Sequence, residues 1–233
     1  MSDNLRLVSG TFERRFYAGM SGLALCVVLV GFARTYYLKG LFGAPSLPLL
    51  LHVHGAVMTV WFLLFVAQAT LIRARRVDLH RLVGVAGGAF ALVLVPIALA
   101  TARQFVIRSL DDPELLPVAA AIAGYDAVVL AVFAILVGTA LRWRRRTDIH
   151  KRLMTLATLS LLGPPLARLV GDETAVLASN LIVLVPIVLD TVWNRRLHPA
   201  FGWGGALVLL STRAALVMVS SPAWTSFVVH LVR

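Results

Sequence analysis

Long apolar runs alternate with short polar connections along the whole chain. Seven of these runs have about 20 residues each, the length that a transmembrane α-helix needs. They cover 16–38, 48–72, 82–103, 117–141, 152–170, 174–193 and 200–219. A further apolar stretch, 223–232, is too short to cross a bilayer, and we expect it to lie along the interface or to tuck back. The pattern predicts an all-α, polytopic membrane helix bundle of seven transmembrane helices plus a short C-terminal interfacial or re-entrant helix, with 1–233 as one integral membrane domain.

Composition excludes the other broad classes of protein. Apolar residues make up 59% of the 233 residues, charged residues make up 14%, and the mean hydropathy is +0.86. Soluble domains are about half apolar and about a quarter charged. A water-soluble globule and a disordered chain are therefore excluded, and the lipid bilayer is the expected partner. The single cysteine, Cys26, excludes an intramolecular disulfide and a CxxC redox site.

The net charge of +11 predicts a membrane orientation rather than a nucleic-acid partner. Most of the 22 Lys and Arg residues lie in alternate connections, which are 1–15, 73–81, 142–152 and 194–197. The opposite side holds five of the acidic residues, Asp111, Asp112, Glu114, Asp172 and Glu173. The positive-inside rule therefore predicts a cytoplasmic N-terminus.

Three histidines begin helices on the predicted cytoplasmic side. Asp78 and His80 are repeated further along the chain as Asp148 and His150, and His198 precedes the last span. Neutral imidazoles at one depth predict a metal site or, from facing helices, two axial ligands of a haem iron. The structural alternative is that Asp78 and Asp148 are helix N-caps and that the histidines anchor helix ends at the interface.

The second span carries a stripe of polar and aromatic side chains. It consists of His54, Met58, Trp61, Phe65 and Gln68, spaced by three and four residues, so that all five share one helix face. His52 points to nearly the opposite side. Polar groups within hydrocarbon need partners, so this face predicts a cofactor pocket or an interhelical hydrogen bond. In the third span, Gly84 and Gly88 predict a close approach of a neighbouring helix or a flat ring.

Ionisable residues inside the spans form the most specific feature of the sequence. Asp126, Arg168, Asn180 and Arg213 fall in the outer half of their predicted helices, as does His54. Charged groups at membrane depth usually face the bundle interior or a wet cavity. We expect Asp126 to pair with Arg168 or Arg213 and the remaining arginine to bind an anionic group. The alternative is an ion-pair network that only locks helix packing.

Two further features accompany these charges. Pro164 and Pro165 are expected to break the fifth span just before Arg168. Asp190 lies close in sequence to Arg195 and Arg196, which predicts an ion pair at the inner boundary.

The hairpin between the second and third spans resembles a known family. The motif His54-Gly55…Trp61…Gln68…Arg75…Asp78-Leu79-His80-Arg81-Leu82…Gly84 is similar to that of an uncharacterised family of bacterial polytopic inner-membrane proteins. Segments 148–154 and 197–199 extend the resemblance over most of the chain. It implies the fold and a location in the bacterial plasma (inner) membrane, without a specific activity.

More distantly, helical cores with histidines near helix ends are similar to di-haem cytochromes of the b561 type, which implies haem b as a cofactor. Those proteins carry histidine pairs on facing helices at both depths. In this chain the outer half holds His52 and His54 on one helix.

Three classes of function follow from the sequence. The first is a haem- or quinone-linked binding protein, with His54, His80, His150 and His198 as candidate haem or metal ligands. The second is a small permease or a lipid- or anion-binding protein that uses a ligand pocket formed by His54, Trp61, Gln68, Asp126, Arg168, Asn180 and Arg213. The third is a structural or assembly subunit that binds another membrane subunit. The sequence contains no GxSxG, HExxH or P-loop motif, so it predicts no catalytic residue.

Overall fold

The computed structural model describes residues 2–232, with side chains for 13–221 and 223–232. Arg6 and Arg233, which belong to the charge pattern, lie outside the described side chains. The described chain is helical and contains no strand. Its α-helices are α1 (Ser2–Gly31), α2 (Leu49–Arg73), α3 (Val77–Arg108), α4 (Leu115–Arg142), α5 (Thr147–Ser160), α6 (Gly163–Val170), α7 (Asp172–Asn194), α8 (Pro199–Val219) and α9 (Pro222–Val232), with a π-helical turn at Ala33–Tyr37.

The helices confirm the predicted polytopic bundle. In the described residues, six helices are long and apolar enough to cross a membrane, and there are seven if α5 and α6, which are bent by 47° relative to each other, count as one span. The exposed surface is rich in large apolar side chains such as Leu82, Leu92, Leu210 and Val217. An apolar exterior of this kind fits hydrocarbon and not water. The protein is therefore a multi-pass membrane protein.

Helices extend beyond the apolar runs that predict them. α3 covers Val77–Arg108, whereas the hydropathy pattern predicts a span of 82–103. A helix continues as long as its backbone hydrogen bonds are favourable, and its polar ends pass through the headgroup region. Asp78 and Asp148 are not N-caps, because Arg76 and Arg146 occupy those positions. Both carboxylates instead lie in the first turn, where the helix dipole favours negative charge.

The alternating helix directions give the bundle two chemically different ends. We call the end where α3, α5 and α8 begin the basic end, because the arginine-rich connections lie there. The opposite end, where α4 and α7 begin, we call the acidic end, since it holds Asp111, Asp112, Glu114, Asp172 and Glu173.

α5 lies in the middle of the bundle although it is one of the less apolar helices. It packs against α1, α4, α7 and α8, and its residues from Leu153 to Leu159 are almost all buried. α4 forms the other central element and contacts α3, α5, α8 and α9. Sites between α4, α5 and their neighbours are therefore enclosed by protein on most sides.

The short helix α9 tucks back against the bundle. It packs on α3, α4 and α8, and the Trp224 indole N–H donates to the Ala120 carbonyl over 2.8 Å. A Cβ atom at Gly124 would lie 2.5 Å from the Trp224 ring, so glycine is what lets the indole approach α4. The sequence allows this segment either to lie along the interface or to tuck back, and in the structure it tucks back against the bundle.

Candidate functional site

The break between α5 and α6 positions Arg168. α5 ends at Ser160, and Pro164 and Pro165 stand in the first turn of α6, where a missing N–H is tolerated. Arg168 lies one turn later, and its Nη1 donates to the Pro164 carbonyl over 3.0 Å. The guanidinium carbon is 4.4 Å from the centre of the Phe32 ring. These two contacts hold the guanidinium, and its other N–H groups form no hydrogen bond with a described residue.

Asp126 and His54 lie near this guanidinium. Arg168 is close enough to act electrostatically on both side chains, and it also interacts with Asp172 at the start of α7. Asp126 is half-buried. Among the described side chains, however, no salt bridge joins Asp126 to Arg168 or to Arg213. The predicted ion pair of Asp126 is therefore wrong, because the helix break holds the Arg168 guanidinium against Phe32 and Pro164 instead.

Two side chains of the α2 stripe, His54 and Trp61, have ring nitrogens that are buried. Trp61 is 3% exposed and packs edge-on against Phe133, with ring centres 5.0 Å apart. The His54 Nδ1 and the Trp61 Nε1 are buried and have no hydrogen-bond partner among the described residues. Leaving such atoms unsatisfied in an apolar interior is unfavourable. We call His54, Asp126 and Arg168 the acidic-end cluster; Trp61 lies seven residues, about 10 Å, further along α2.

The structure divides the predicted ligand pocket into separate places. Gln68 lies fourteen residues after His54 on α2, about 21 Å along the helix, and it belongs to the basic end. Asn180 lines a different, small cavity between α4, α7 and α8. Arg213 is exposed on α8 and forms no salt bridge with a described residue. The structure therefore brings together three of the seven predicted pocket residues, His54, Asp126 and Arg168.

At the basic end, His80 and His150 come together as the sequence repeat suggests. Their ring centres are 6.3 Å apart and their planes are nearly perpendicular, at 85°. The His150 Nδ1 hydrogen-bonds with the Ala140 carbonyl at 2.9 Å.

Gln68 reaches this pair from α2. With its amide nitrogen towards α3, it donates to the His80 ring Nδ1 and, over 3.1 Å, to the His80 carbonyl, while its oxygen accepts from the Gly84 N–H at 3.0 Å. A Cβ atom at Gly84 would lie 3.8 Å from the Gln68 amide nitrogen, an ordinary contact, so this hydrogen bond does not require a glycine.

His198 does not join the other two histidines. Its Nδ1 accepts the Ala200 N–H over 3.1 Å and so caps α8. Its Nε2 contacts the Asp148 carboxylate at 3.3 Å. Both contacts are structural, and no group of three metal-ligating side chains occurs in the part of the chain that the structure describes.

Sequence reasoning missed the hydroxyl groups around Asn180. Tyr125, Ser160, Ser179, Ser211 and Thr212 line the same cavity. The available signal was the presence of Ser or Thr pairs at similar depth in three spans, since small polar residues at one depth tend to converge in a bundle.

Comparison of the chain with protein-family models, with curated proteins and with solved structures finds no match.

Proposed function

We propose that the protein is a small permease that binds a solute with an anionic group, a carboxylate or a phosphate, at the acidic-end cluster. The observation that supports this is how the Arg168 guanidinium is held. Its guanidinium is held by the Pro164 carbonyl and the Phe32 ring, and it makes no salt bridge with a described carboxylate. A fixed guanidinium with free N–H groups matches the planar geometry of a carboxylate or a phosphate.

The neighbouring groups suit a bound anion only in certain charge states. A charged Asp126 beside Arg168 repels an incoming anion, so the anion is expected to enter together with a proton. The unpartnered His54 Nδ1 then supplies a further polar contact to the solute. The break between α5 and α6 favours transport over static binding, since transporters commonly place substrate beside discontinuous helices.

Thermal stability of the purified full-length chain in detergent tests this proposal. The probes are lactate, succinate, citrate, inorganic phosphate and glycerol 3-phosphate, each compared with chloride at equal ionic strength. A ligand at a hundred times its Kd stabilises the folded state by about 2.7 kcal/mol, so at least one probe should raise the melting temperature.

Arg168→Gln should abolish this stabilisation. Arg213→Gln is the matched control, because Arg213, like Arg168, is an exposed arginine within a span, but it lies outside the cluster. Anion stabilisation that survives in Arg168→Gln, or that is absent from the wild type with every probe, would contradict the proposal.

A second candidate function, haem-linked electron transfer, is favoured by the spacing of His80 and His150. Two imidazoles that hold one ion from opposite sides have donor nitrogens about 4 Å apart, because each metal–nitrogen bond is about 2 Å. A ring-centre separation of 6.3 Å allows that arrangement. The His150 Nδ1 contact with Ala140 also leaves Nε2 as its free nitrogen. A bound haem would supply one-electron chemistry at the basic end.

Ligation by His80 imposes a further condition. If His80 binds the iron through Nε2, its Nδ1 carries the proton and must donate it in a hydrogen bond. The Gln68 amide must then turn its oxygen towards the ring, which is opposite to the orientation in which that oxygen accepts the Gly84 N–H.

The absorption spectrum of protein purified from haem-replete cells tests this candidate. A Soret band should be lost in His80→Ala and His150→Ala and retained in the exposed control His52→Ala. Colourless wild-type protein would eliminate it.

A further inference from the structure

The two helix connections with the most arginine residues lie side by side at the basic end. One joins α2 to α3 and the other joins α4 to α5, and both are short. His80, in the first turn of α3, and His150, in the first turn of α5, have ring centres 6.3 Å apart. The connections that precede these histidines are therefore neighbours. We call the segments 73–81 and 142–148 the arginine turns.

Positive charge greatly exceeds negative charge in the arginine turns. Their two carboxylates, Asp78 and Asp148, each lie 3.8 Å from one guanidinium, that of Arg76 and that of Arg146 respectively. The remaining arginines form no salt bridge with a described residue. All the arginines of the two turns are exposed, and they are Arg73, Arg75, Arg76, Arg81, Arg142, Arg144, Arg145 and Arg146. An anion from outside the chain would relieve the repulsion among them.

Apolar surface begins directly beside this charge. Arg81 is followed on α3 by Leu82 and Val85, which are 70% and 77% exposed. Side chains of this kind face acyl chains when the helix crosses a bilayer. A phospholipid presents the same two parts in the same order, a charged headgroup followed by hydrocarbon. A soluble anion would use only the charged part of this surface.

Trp143 fixes the depth of the second arginine turn. Its ring is partly exposed, and the guanidinium carbons of Arg142 and Arg146 lie 5.9 and 5.8 Å from the ring centre. Tryptophan is enriched where the headgroups meet the hydrocarbon. The arginines around Trp143 are therefore expected at the level of the lipid phosphates.

We propose that the arginine turns bind the headgroup phosphate of an anionic phospholipid such as phosphatidylglycerol, in the leaflet at the basic end. Guanidinium groups bind phosphate oxygens in a bidentate manner. Phosphatidylcholine and phosphatidylethanolamine carry the same phosphate together with a cationic group, which the surplus arginines repel. No residue of the arginine turns belongs to the acidic-end cluster, so the inference does not depend on anion binding there.

Native mass spectrometry of the purified full-length chain in detergent tests the lipid preference. Phosphatidylglycerol, phosphatidylethanolamine and phosphatidylcholine with identical acyl chains are added at equal concentrations. We expect saturable binding of phosphatidylglycerol with an affinity about tenfold higher than that of the other two lipids. Equal binding of all three would overturn the inference. Glycerol 3-phosphate at the same concentration should not displace the lipid, and displacement would show that the turns recognise phosphate esters without acyl chains.

Paired variants assign the binding to the arginine turns. Arg75→Gln with Arg145→Gln removes one unpaired charge from each turn and should weaken phosphatidylglycerol binding about tenfold, because each basic residue near an anionic lipid contributes to its attraction. Arg75→Lys with Arg145→Lys keeps the charges and should keep most of the affinity. Arg34→Gln with Arg108→Gln is the matched control, since it removes the same charge from exposed positions at the acidic end. Equal losses in the control would show that net charge, and not this surface, attracts the lipid.

A second variant pair protects the test against misfolding, because Arg75 has a left-handed backbone with φ 60°. Arg73→Gln with Arg144→Gln removes charges from the same two turns and should cause a similar loss of affinity. Undiminished phosphatidylglycerol binding in either folded pair would contradict the assignment. Arg168→Gln should leave lipid binding unchanged even where it abolishes anion binding, which separates this inference from the proposed function. Loss of the lipid preference in Arg168→Gln would contradict two independent sites.

Discussion

Arg152 and Asp190 form an ion pair that is almost completely removed from solvent at the basic end. Their relative exposures are 4% and 7%, and the guanidinium contacts both carboxylate oxygens, at 2.6 and 3.1 Å. The sequence predicts that Asp190 pairs with Arg195 or Arg196, and that prediction is wrong. Sequence proximity favours the neighbouring arginines, but Arg195 and Arg196 are exposed beyond the end of α7 while α5 presents Arg152 to α7 inside the bundle.

Removing one partner of this pair should be more harmful than removing both. Asp190→Ala leaves a buried guanidinium unpaired, which destabilises a protein by about 3–5 kcal/mol, whereas apolar replacement of both partners is often nearly neutral. We therefore expect the melting temperature in detergent to fall strongly in Asp190→Ala and to recover in Arg152→Met with Asp190→Leu.

The control for this experiment is an exposed pair. Arg76 and Asp78 are 3.8 Å apart and 60% and 71% exposed, and such pairs contribute at most about 1 kcal/mol. Asp78→Ala should therefore change the melting temperature little. A double variant no more stable than Asp190→Ala would show that the pair is not the source of the stability.

At the scale of elements, α1 and α6 meet at a glycine. A Cβ atom at Gly31 would lie 2.5 Å from the Pro165 carbonyl oxygen, so only glycine permits the observed approach. Gly31→Ala should push α6 away and destabilise the fold by about 1–3 kcal/mol, as overpacking of a tight contact does. Because α6 carries Arg168, the same change should also weaken anion binding.

Gly22→Ala is the matched control on the same helix. A Cβ atom at Gly22 would meet nothing within 4 Å, and alanine is a better helix former than glycine by roughly 0.5–1 kcal/mol. We expect Gly22→Ala to be neutral or stabilising in thermal unfolding. Equal losses in the two variants would mean that the α1–α6 contact has no special role.

The sequence predicts elements better than it predicts sites. Apolar runs reveal each span, and Pro164 and Pro165 reveal the break before Arg168, because these signals are local. The neighbour of a buried side chain depends on which helices pack together. For that reason, the depth of Asp126 could be predicted, but the absence of its ion pair could not. The repeat suggested that His80 and His150 would meet. The role of His198 as a cap of α8 was visible only in the structure.

For the whole molecule, the two ends of the bundle predict its orientation in the membrane. The basic end holds the arginine-rich connections and the acidic end holds most of the acidic loop residues. Short basic loops are retained in the cytoplasm, so the acidic-end cluster should be reached from the outside. The direction from which an anionic solute enters depends on this orientation.

Cysteine labelling in spheroplasts tests the orientation, because Cys26 is the single native cysteine and Cys26→Ala removes it. In that background, Asp112→Cys and Arg145→Cys each place one thiol at an exposed position, at the acidic and the basic end respectively. A membrane-impermeant maleimide should label Asp112→Cys in intact spheroplasts, and it should label Arg145→Cys only after permeabilisation. The reverse pattern would place the acidic-end cluster on the cytoplasmic side and make Arg168 a site for solutes leaving the cell. Equal labelling of both variants before permeabilisation would show that the charge difference between the two ends does not fix one orientation.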